Sequence, residues 1–386
     1  MFNVTDDIIY VGVNDKDIDL FESQYIVPNG VSYNSYLIKD DKYVLMDSVD
    51  KCKTDEWLEN IEKALDGHKL DYLVIQHLEP DHSGSIGAIC KKYPDLKIVS
   101  NSKVFDMLPQ FFNIDNIDER KVEVYEQTQL CTGTHILNFY MAPMVHWPEV
   151  MFTFDERDKV LFSADAFGKF GSLDTDEEWA CEARRYYFNI VGKYGMQVQS
   201  ILNKVGGLDI KIICPLHGPI LQEDLAYYLN LYNTWSNYDV EAEGVFIAYA
   251  SIHGNTKEAA LKLKEILENK GCPKVAISDL SREDFAEAIE DCFKYGKIVF
   301  AASSYNAKVF PPMEHLLTHL KDKNYQKRTI GLIENGSWAP SSIRTMEEII
   351  SNMKDITIVE PKITIKTTMT EENIKQLEEL ADSLLK

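Results

Sequence analysis

No two of the seven cysteines in this 386-residue sequence form a C-x-x-C pair; they are Cys52, Cys90, Cys131, Cys181, Cys214, Cys272 and Cys292. An odd, scattered set excludes a disulfide framework and argues against a zinc ribbon or a thiolate-held iron site. Long apolar runs are missing as well, so no segment reads as a transmembrane helix. The opening MFNVTDDIIYVG has no basic flank before an apolar stretch and does not read as a signal peptide. A reducing, cytoplasmic setting is the expectation. Basic charge is scarce too: 40 Lys and Arg face 62 Asp and Glu, a net charge of −22, and the basic clusters are pairs such as Lys91-Lys92 and Arg184-Arg185. Nucleic acid and anionic membrane require a basic footprint, so neither is an expected partner. Internal repeats and low-complexity tracts are absent.

What is present is ample core material, 45% apolar against 26% charged residues. A chain of this length predicts two or three domains. Two halves read differently. Residues 1–240 carry many short strand-like segments, among them 34–39, 42–47, 71–76, 97–100, 121–124, 135–142, 150–153, 160–163 and 211–214. Helical spacing is sparser, at 56–65, after His82 and across 179–205. This pattern suggests two packed sheets with helices outside, an α/β arrangement. From Glu243 onward strands alternate with helices: 244–250, 274–277, 297–302, 328–333 and 356–358 are strands, each followed by a helical segment. That rhythm describes a small doubly wound parallel sheet over 241–386.

The densest chemical signal is His77-Leu-Glu79-Pro-Asp81-His82, which follows the buried strand YLVIQ. Alternation places His77, Glu79 and Asp81 on one side if the chain stays extended, and Pro80 favours that conformation at Glu79. Alone, the hexapeptide could be a polar turn with Asp81 or Ser83 as a helix cap. Three further polar residues stand just past apolar strands: His146 in PMVHWPEVMF, Asp165 in LFSADAFG and His217 in CPLHGP. Four such loops in one domain point to a metal centre.

In the second half, GVFIAYA-SIHGNT-KEAA has the strand, loop and helix order needed for phosphate binding. Ser251, Ile252, His253, Gly254, Asn255 and Thr256 form the loop. It has no GxxxxGK[ST] lysine, which disfavours a nucleotide triphosphatase, and it is not GxGxxG. SSYNAKVFPP and ENGSWAPSS follow two more strands, so three strand ends share one edge.

The combination resembles the flavodiiron proteins over essentially the whole chain. The resemblance implies an N-terminal metallo-β-lactamase-like αββα sandwich (1–240) and a C-terminal flavodoxin-like domain (241–386). Zinc hydrolases of the first fold resemble HxHxDH, with a second histidine where this chain has Glu79; replacing that imidazole by a carboxylate adds a harder oxygen donor, which favours iron. Following the family, His77, Glu79 and His146 hold one iron, Asp81 and His217 the other, and Asp165 bridges them. His82 either stands behind the ligands or joins them as an optional one. The cofactors implied are two non-haem irons and FMN. Ser303, Ser304, Tyr305, Asn306, Ala307 and Lys308 then lie beside the flavin, and Asn335, Gly336, Ser337 and Trp338 form its third wall, with Trp338 able to stack on the ring. His253 and the lack of a SYGW-type third loop depart from many flavodoxins.

The implied activity is reduction of O₂ to water and/or NO to N₂O, with a separate electron donor, a rubredoxin-like protein or reduced F420. The implied assembly is a head-to-tail homodimer or a dimer of dimers, with Trp147 and Trp338 near its junction. The alternatives are a metal-dependent hydrolase fused to a flavodoxin-like module and a flavodoxin-type electron carrier.

Overall fold

The computed structural model describes residues 1–386. Contacts divide the chain into two compact units: Met1–Tyr187 with Tyr194–Asn233, and Phe188–Lys193 with Thr234–Lys386.

The first unit contains a seven-stranded and a five-stranded sheet. In the larger sheet, Tyr36–Ile38 and Tyr43–Met46 form the antiparallel pair expected around the polar turn Lys39-Asp40-Asp41, with Tyr36 opposite Met46. Leu70–Val74 and Lys97–Ser100 then continue it in parallel register. The smaller sheet runs through Gln129–Cys131, Ile136–Met141, Met151–Asp155, Val160–Phe162 and Ile212–Cys214. Side chains from the two inner faces, including Ile38, Met46, Val74, Val99, Leu137, Phe139, Met151 and Phe162, make one buried cluster. Apolar residues alternate along the strands, so each strand sends every second residue into this layer. Helix Thr54–Leu65 buries Trp57, Ile61 and Leu65, the expected helical stripe. A short hairpin, Leu20–Phe21 with Tyr25–Ile26, and a second pair, Val13–Asp15 with Val31–Tyr33, stand outside the sheets.

The second unit is a parallel sheet whose five main strands run Val275–Asp279, Ala242–Ala250, Tyr295–Tyr305, Gln326–Asn335 and Lys354–Ile358. The first strand in sequence thus lies second in space, the order of a flavodoxin-like sheet. Central strands are apolar on both faces because helices cover both. Helix Asn255–Asn269 packs Ala260, Leu263 and Leu267 against Val245, Ile247 and Val299, together with Leu377, Leu380 and Leu384 of the final helix Glu371–Leu385. That last helix starts on a capping box in which Thr370 and Asn373 satisfy each other's backbone.

Candidate metal centre and flavin cradle

The strand Leu70–Val74 delivers His77 and Glu79 to the edge of the larger sheet, but the hexapeptide does not stay extended. Glu79 is extended (φ −57°, ψ 139°), and Pro80 then opens a helical turn over Pro80–Ser83. Proline suits the first helical position, where its missing N–H costs nothing. This turn splits the motif between two sets of side chains. His77 and Glu79 join His146 and Asp165; Asp81 and His82 join His217.

The distances are those of a convergent site. His146 Nε2 lies 2.9 Å from Glu79 Oε2 and 3.3 Å from Asp165 Oδ2, and His77 Nε2 lies 3.2 Å from that same Oδ2. The other oxygen, Asp165 Oδ1, lies 3.1 Å from His82 Nε2 and 3.8 Å from His217 Nε2. Asp165 therefore turns one carboxylate oxygen toward each set. His217 Nε2 is 3.2 Å from Asp81 Oδ2 and 2.9 Å from His82 Nε2. His82, placed by the sequence at the margin of the centre, points its ring nitrogen into the second set.

The loops are held from behind. Asp47, at the end of its strand, accepts hydrogen bonds from the Gln76 backbone N–H (2.7 Å) and side-chain amide (2.9 Å), which fixes the entry to the hexapeptide. Burial pushes the Asp47 carboxyl up to about 6, against the lowering effect of those bonds. His217 Nδ1 donates to the Ser32 carbonyl at 2.8 Å, so its Nε2 faces Asp81. Asn34 donates to the Pro215 and Gly218 carbonyls and so clamps the turn around His217. Tyr186, buried against His217, and Phe21 and Tyr33 form an aromatic wall on this side. Glu149, almost wholly buried, accepts from His77 Nδ1 at 2.8 Å. Glu149 stands three residues beyond His146 in HWPEV, a position that no motif in the sequence singles out.

These side chains fit a pair of cations. Both oxygens of Asp81 and of Asp165 are buried without a hydrogen-bond partner, as is His82 Nδ1. Neither carboxylate pairs with a lysine or arginine. Buried carboxylates left this way are costly unless a cation or proton compensates them. Within the chain alone the imidazoles do so: although burial opposes ionisation, His77 and His82 hold Asp165 well below the usual carboxylate range. His146 in turn is raised to about 9, chiefly by Asp165 and Glu79 acting against burial. Metal binding would displace those protons. Mixed nitrogen and hard-oxygen donors match iron better than a thiolate or all-imidazole set.

The second unit has a cavity of about 550 Å³ at the carboxyl edge of its sheet, where open α/β sheets bind ligands. Ile252, His253, Asn255 and Thr256 line it from the first loop, Ser303 to Ala307 from the second, and Asn335, Gly336, Ser337 and Trp338 from the third. Ser251, Gly254 and Lys308 are not on its wall. Ser251 Oγ accepts the Gly254 N–H at 3.1 Å, and Lys308 pairs with Tyr305 in a small hairpin. A fourth segment, unanticipated, closes one side: the Thr367 carbonyl accepts from Asn255 Nδ2 (2.7 Å) and Asn335 Nδ2 (2.9 Å).

No acidic side chain lines the cavity. Helix Asn255–Asn269 begins there after Gly254 (φ 98°) with no side-chain cap, which leaves first-turn N–H groups for an anion. A Cβ at Gly336 would lie 2.9 Å from Ser304 Oγ and from Pro340 Cα, so the third loop tolerates only glycine without shifting. Trp338 is 93% exposed and stands beside the opening. A phosphate-bearing planar aromatic fits this combination.

A buried two-set metal centre in one unit and an uncharged flavin-type cradle in the other define a redox protein carrying both cofactors. Comparison with known proteins agrees. Residues 31–218 match the family described as ODP family beta lactamase, and residues 246–363 match a flavodoxin domain. The chain is 30% identical over 388 residues to a nitric oxide reductase from Moorella thermoacetica, covering 98% of this chain and 96% of that one. Among solved structures, a rubredoxin oxygen:oxidoreductase from Desulfovibrio gigas superposes with a TM-score of 0.89 at 26% identity, covering 99% of this chain and 97% of that one. A flavodiiron protein from Giardia intestinalis shares the fold, with a TM-score of 0.92 at 23% identity, covering 99% and 95%. The chain belongs to the flavodiiron proteins of the A-type, a metallo-β-lactamase-like sandwich fused to a flavodoxin-like sheet.

Proposed function

We propose that this oxidoreductase reduces O₂ to two waters, and/or two NO to N₂O and water, using four and two electrons respectively with equal numbers of protons. The observation that carries the reading is the pairing of orphaned, buried carboxylates among convergent imidazoles with a strand-end cavity free of acidic residues. His77, Glu79 and His146 would hold one iron, Asp81 and His217 the other, with Asp165 shared between them. The direction of the His82 ring supports its joining the second set. When bound, the irons supply the reducing site for the diatomic, and FMN supplies the electrons.

The chain's own contribution is to bind, orient and exclude water. Asp47 and Asn34 fix the ligand loops, and the Phe21, Tyr33 and Tyr186 rings keep the His217 side apolar. A separate reductant, a rubredoxin-like protein or reduced F420, and a head-to-tail homodimer or dimer of dimers complete the proposal, with a cytoplasmic location. No helix is long and apolar enough to cross a membrane.

Metal analysis with a visible spectrum tests the reading first. Two irons and one FMN per chain are expected; zinc without flavin would refute it. Anaerobic stopped-flow mixing of the reduced protein with O₂ and with NO then reads the preferred substrate.

A further inference from the structure

The two sets of metal ligands are backed by different chemistry. Behind His77 lies the Glu149 carboxylate, 1% exposed, whose Oε1 accepts both the His77 Nδ1–H (2.8 Å) and the Leu78 backbone N–H (2.9 Å). A carboxylate accepts, so Nδ1 keeps its proton, and Nε2 is the nitrogen that faces Glu79 and Asp165 and would take the metal in place of its own proton. No lysine or arginine pairs with Glu149, and its Oε2 has no partner, so its charge is directed at His77. Its own carbonyl accepts the Asn101 side-chain amide at 2.7 Å. Glu149 therefore ties together the loops that follow three strands, Leu70–Val74, Lys97–Ser100 and Ile136–Met141. Two of those loops carry ligands of the same set, His77 and His146.

The other set has no counterpart. His217 Nδ1 donates to an uncharged acceptor, the Ser32 carbonyl, and His82 Nδ1 has no partner at all. A carboxylate behind a ligating imidazole fixes the ring and raises its basicity, which strengthens its bond to a metal. A neutral carbonyl does so less.

We propose that Glu149 is a positioning residue that makes the metal centre unequal, so that the His77 side holds its iron more tightly than the His217 side. The inference rests on the ligand assignment above and concerns the affinity and potential of each half, not the identity of the reaction.

The test uses the protein loaded with iron and FMN, challenged anaerobically with an iron chelator while release is followed. The unaltered protein should lose its two irons in two phases, the slower at least about tenfold slower. In Glu149→Gln the side-chain oxygen can still accept both N–H groups, so the ring keeps its place while the charge is lost. The slow phase should accelerate about tenfold or more, with the fast phase and FMN content unchanged. The reduction potential of the iron pair should move positive. Equal release of both irons from the unaltered protein would overturn the inference. So would a Glu149→Gln protein whose slow phase and potential match the unaltered one, or in which only the fast phase changes. A preparation that never holds two irons would instead overturn the functional reading beneath it.

Discussion

Asn335→Ala tests the flavin cradle at the point where its geometry differs most from a simple three-loop cavity. Asn335 closes the strand Gln326–Asn335 and exchanges two hydrogen bonds with Thr367: Nδ2 donates to the carbonyl at 2.9 Å, and Oδ1 accepts the backbone N–H at 3.1 Å. Each neutral bond contributes about 0.5–1.5 kcal/mol net. Thr367 is an exposed residue, so water can replace part of what is lost, and Asn255 keeps its own bond to the same carbonyl; the combined loss is about 1–2 kcal/mol. The strand itself keeps its ladder, with Asn335 aligned to Ser303 and Ile365. What is lost is the order of the fourth wall before the ligand arrives, and the cost of restoring that order falls on binding. FMN affinity should therefore weaken about 5- to 30-fold. The assay strips FMN from the protein and titrates it back by fluorescence quenching, with iron content measured in parallel. A dissociation constant within about twofold of the unaltered protein, or loss of iron along with flavin, would refute the reasoning.

Three further outcomes follow from other parts of the molecule. Glu79→His removes the oxygen that faces both His146 and His77; iron content should fall in favour of zinc and turnover at least about tenfold, with FMN retained, as metal analysis and stopped-flow mixing would show. Trp338→Ala should weaken FMN binding about three- to tenfold through lost stacking. It should leave the thermal midpoint of the flavin-free protein in place, because the indole is exposed there. The third outcome concerns pH. Burial works against the charge on His135, yet Asp155 at 3.1 Å raises its pKa, with Asp158 adding to the effect and Arg157 opposing it. The charged ring thus stabilises the fold fully below the ordinary histidine pKa, and that contribution is lost as pH rises through the raised value. Thermal midpoints between neutral and alkaline pH should fall more in the unaltered protein than in His135→Gln, and equal slopes would count against the pairing.

The strands that build the two sheets were legible because their apolar runs are bounded by charged turns. Lys97–Ser100 was anticipated at its observed limits, and the doubly wound rhythm was clear from alternation alone. The shortest elements were not: Phe2–Asn3, Leu20–Phe21, Gln129–Cys131 and Ile363–Ile365 hold too few residues to show a period. Helix Ser102–Met107 was missed for a related reason, since one and a half turns give a weak stripe, although Asn101 caps it through Val104 N–H. At the metal centre the residue types were evident but their division was not. Pro80 not only favours the extended Glu79 but also starts the helical turn that carries Asp81 and His82 to the second set. Glu149 and Thr367 act through one side-chain contact and one backbone carbonyl, contacts that no local pattern of residues announces.

Charge separates the two sites more sharply than fold does. Over the whole chain acidic residues outnumber basic ones by enough to give −22, yet the flavin cradle has no acidic lining and offers a helix start instead. An anionic phosphate can enter such a place because helix-end amides act over short range, whereas dispersed surface carboxylates are screened beyond about 10 Å at ordinary ionic strength. The metal centre does the reverse, concentrating Glu79, Asp81 and Asp165 with no lysine or arginine paired to them. In a low-dielectric interior that arrangement is tolerable only with protons on the imidazoles or cations between the ligands. Iron uptake must then compete with protons and should weaken as pH falls, while FMN uptake, which relies on backbone amides, should not share that dependence. The two cofactors of one chain are thus held by opposite electrostatic strategies, and loading them separately at two pH values would tell the strategies apart.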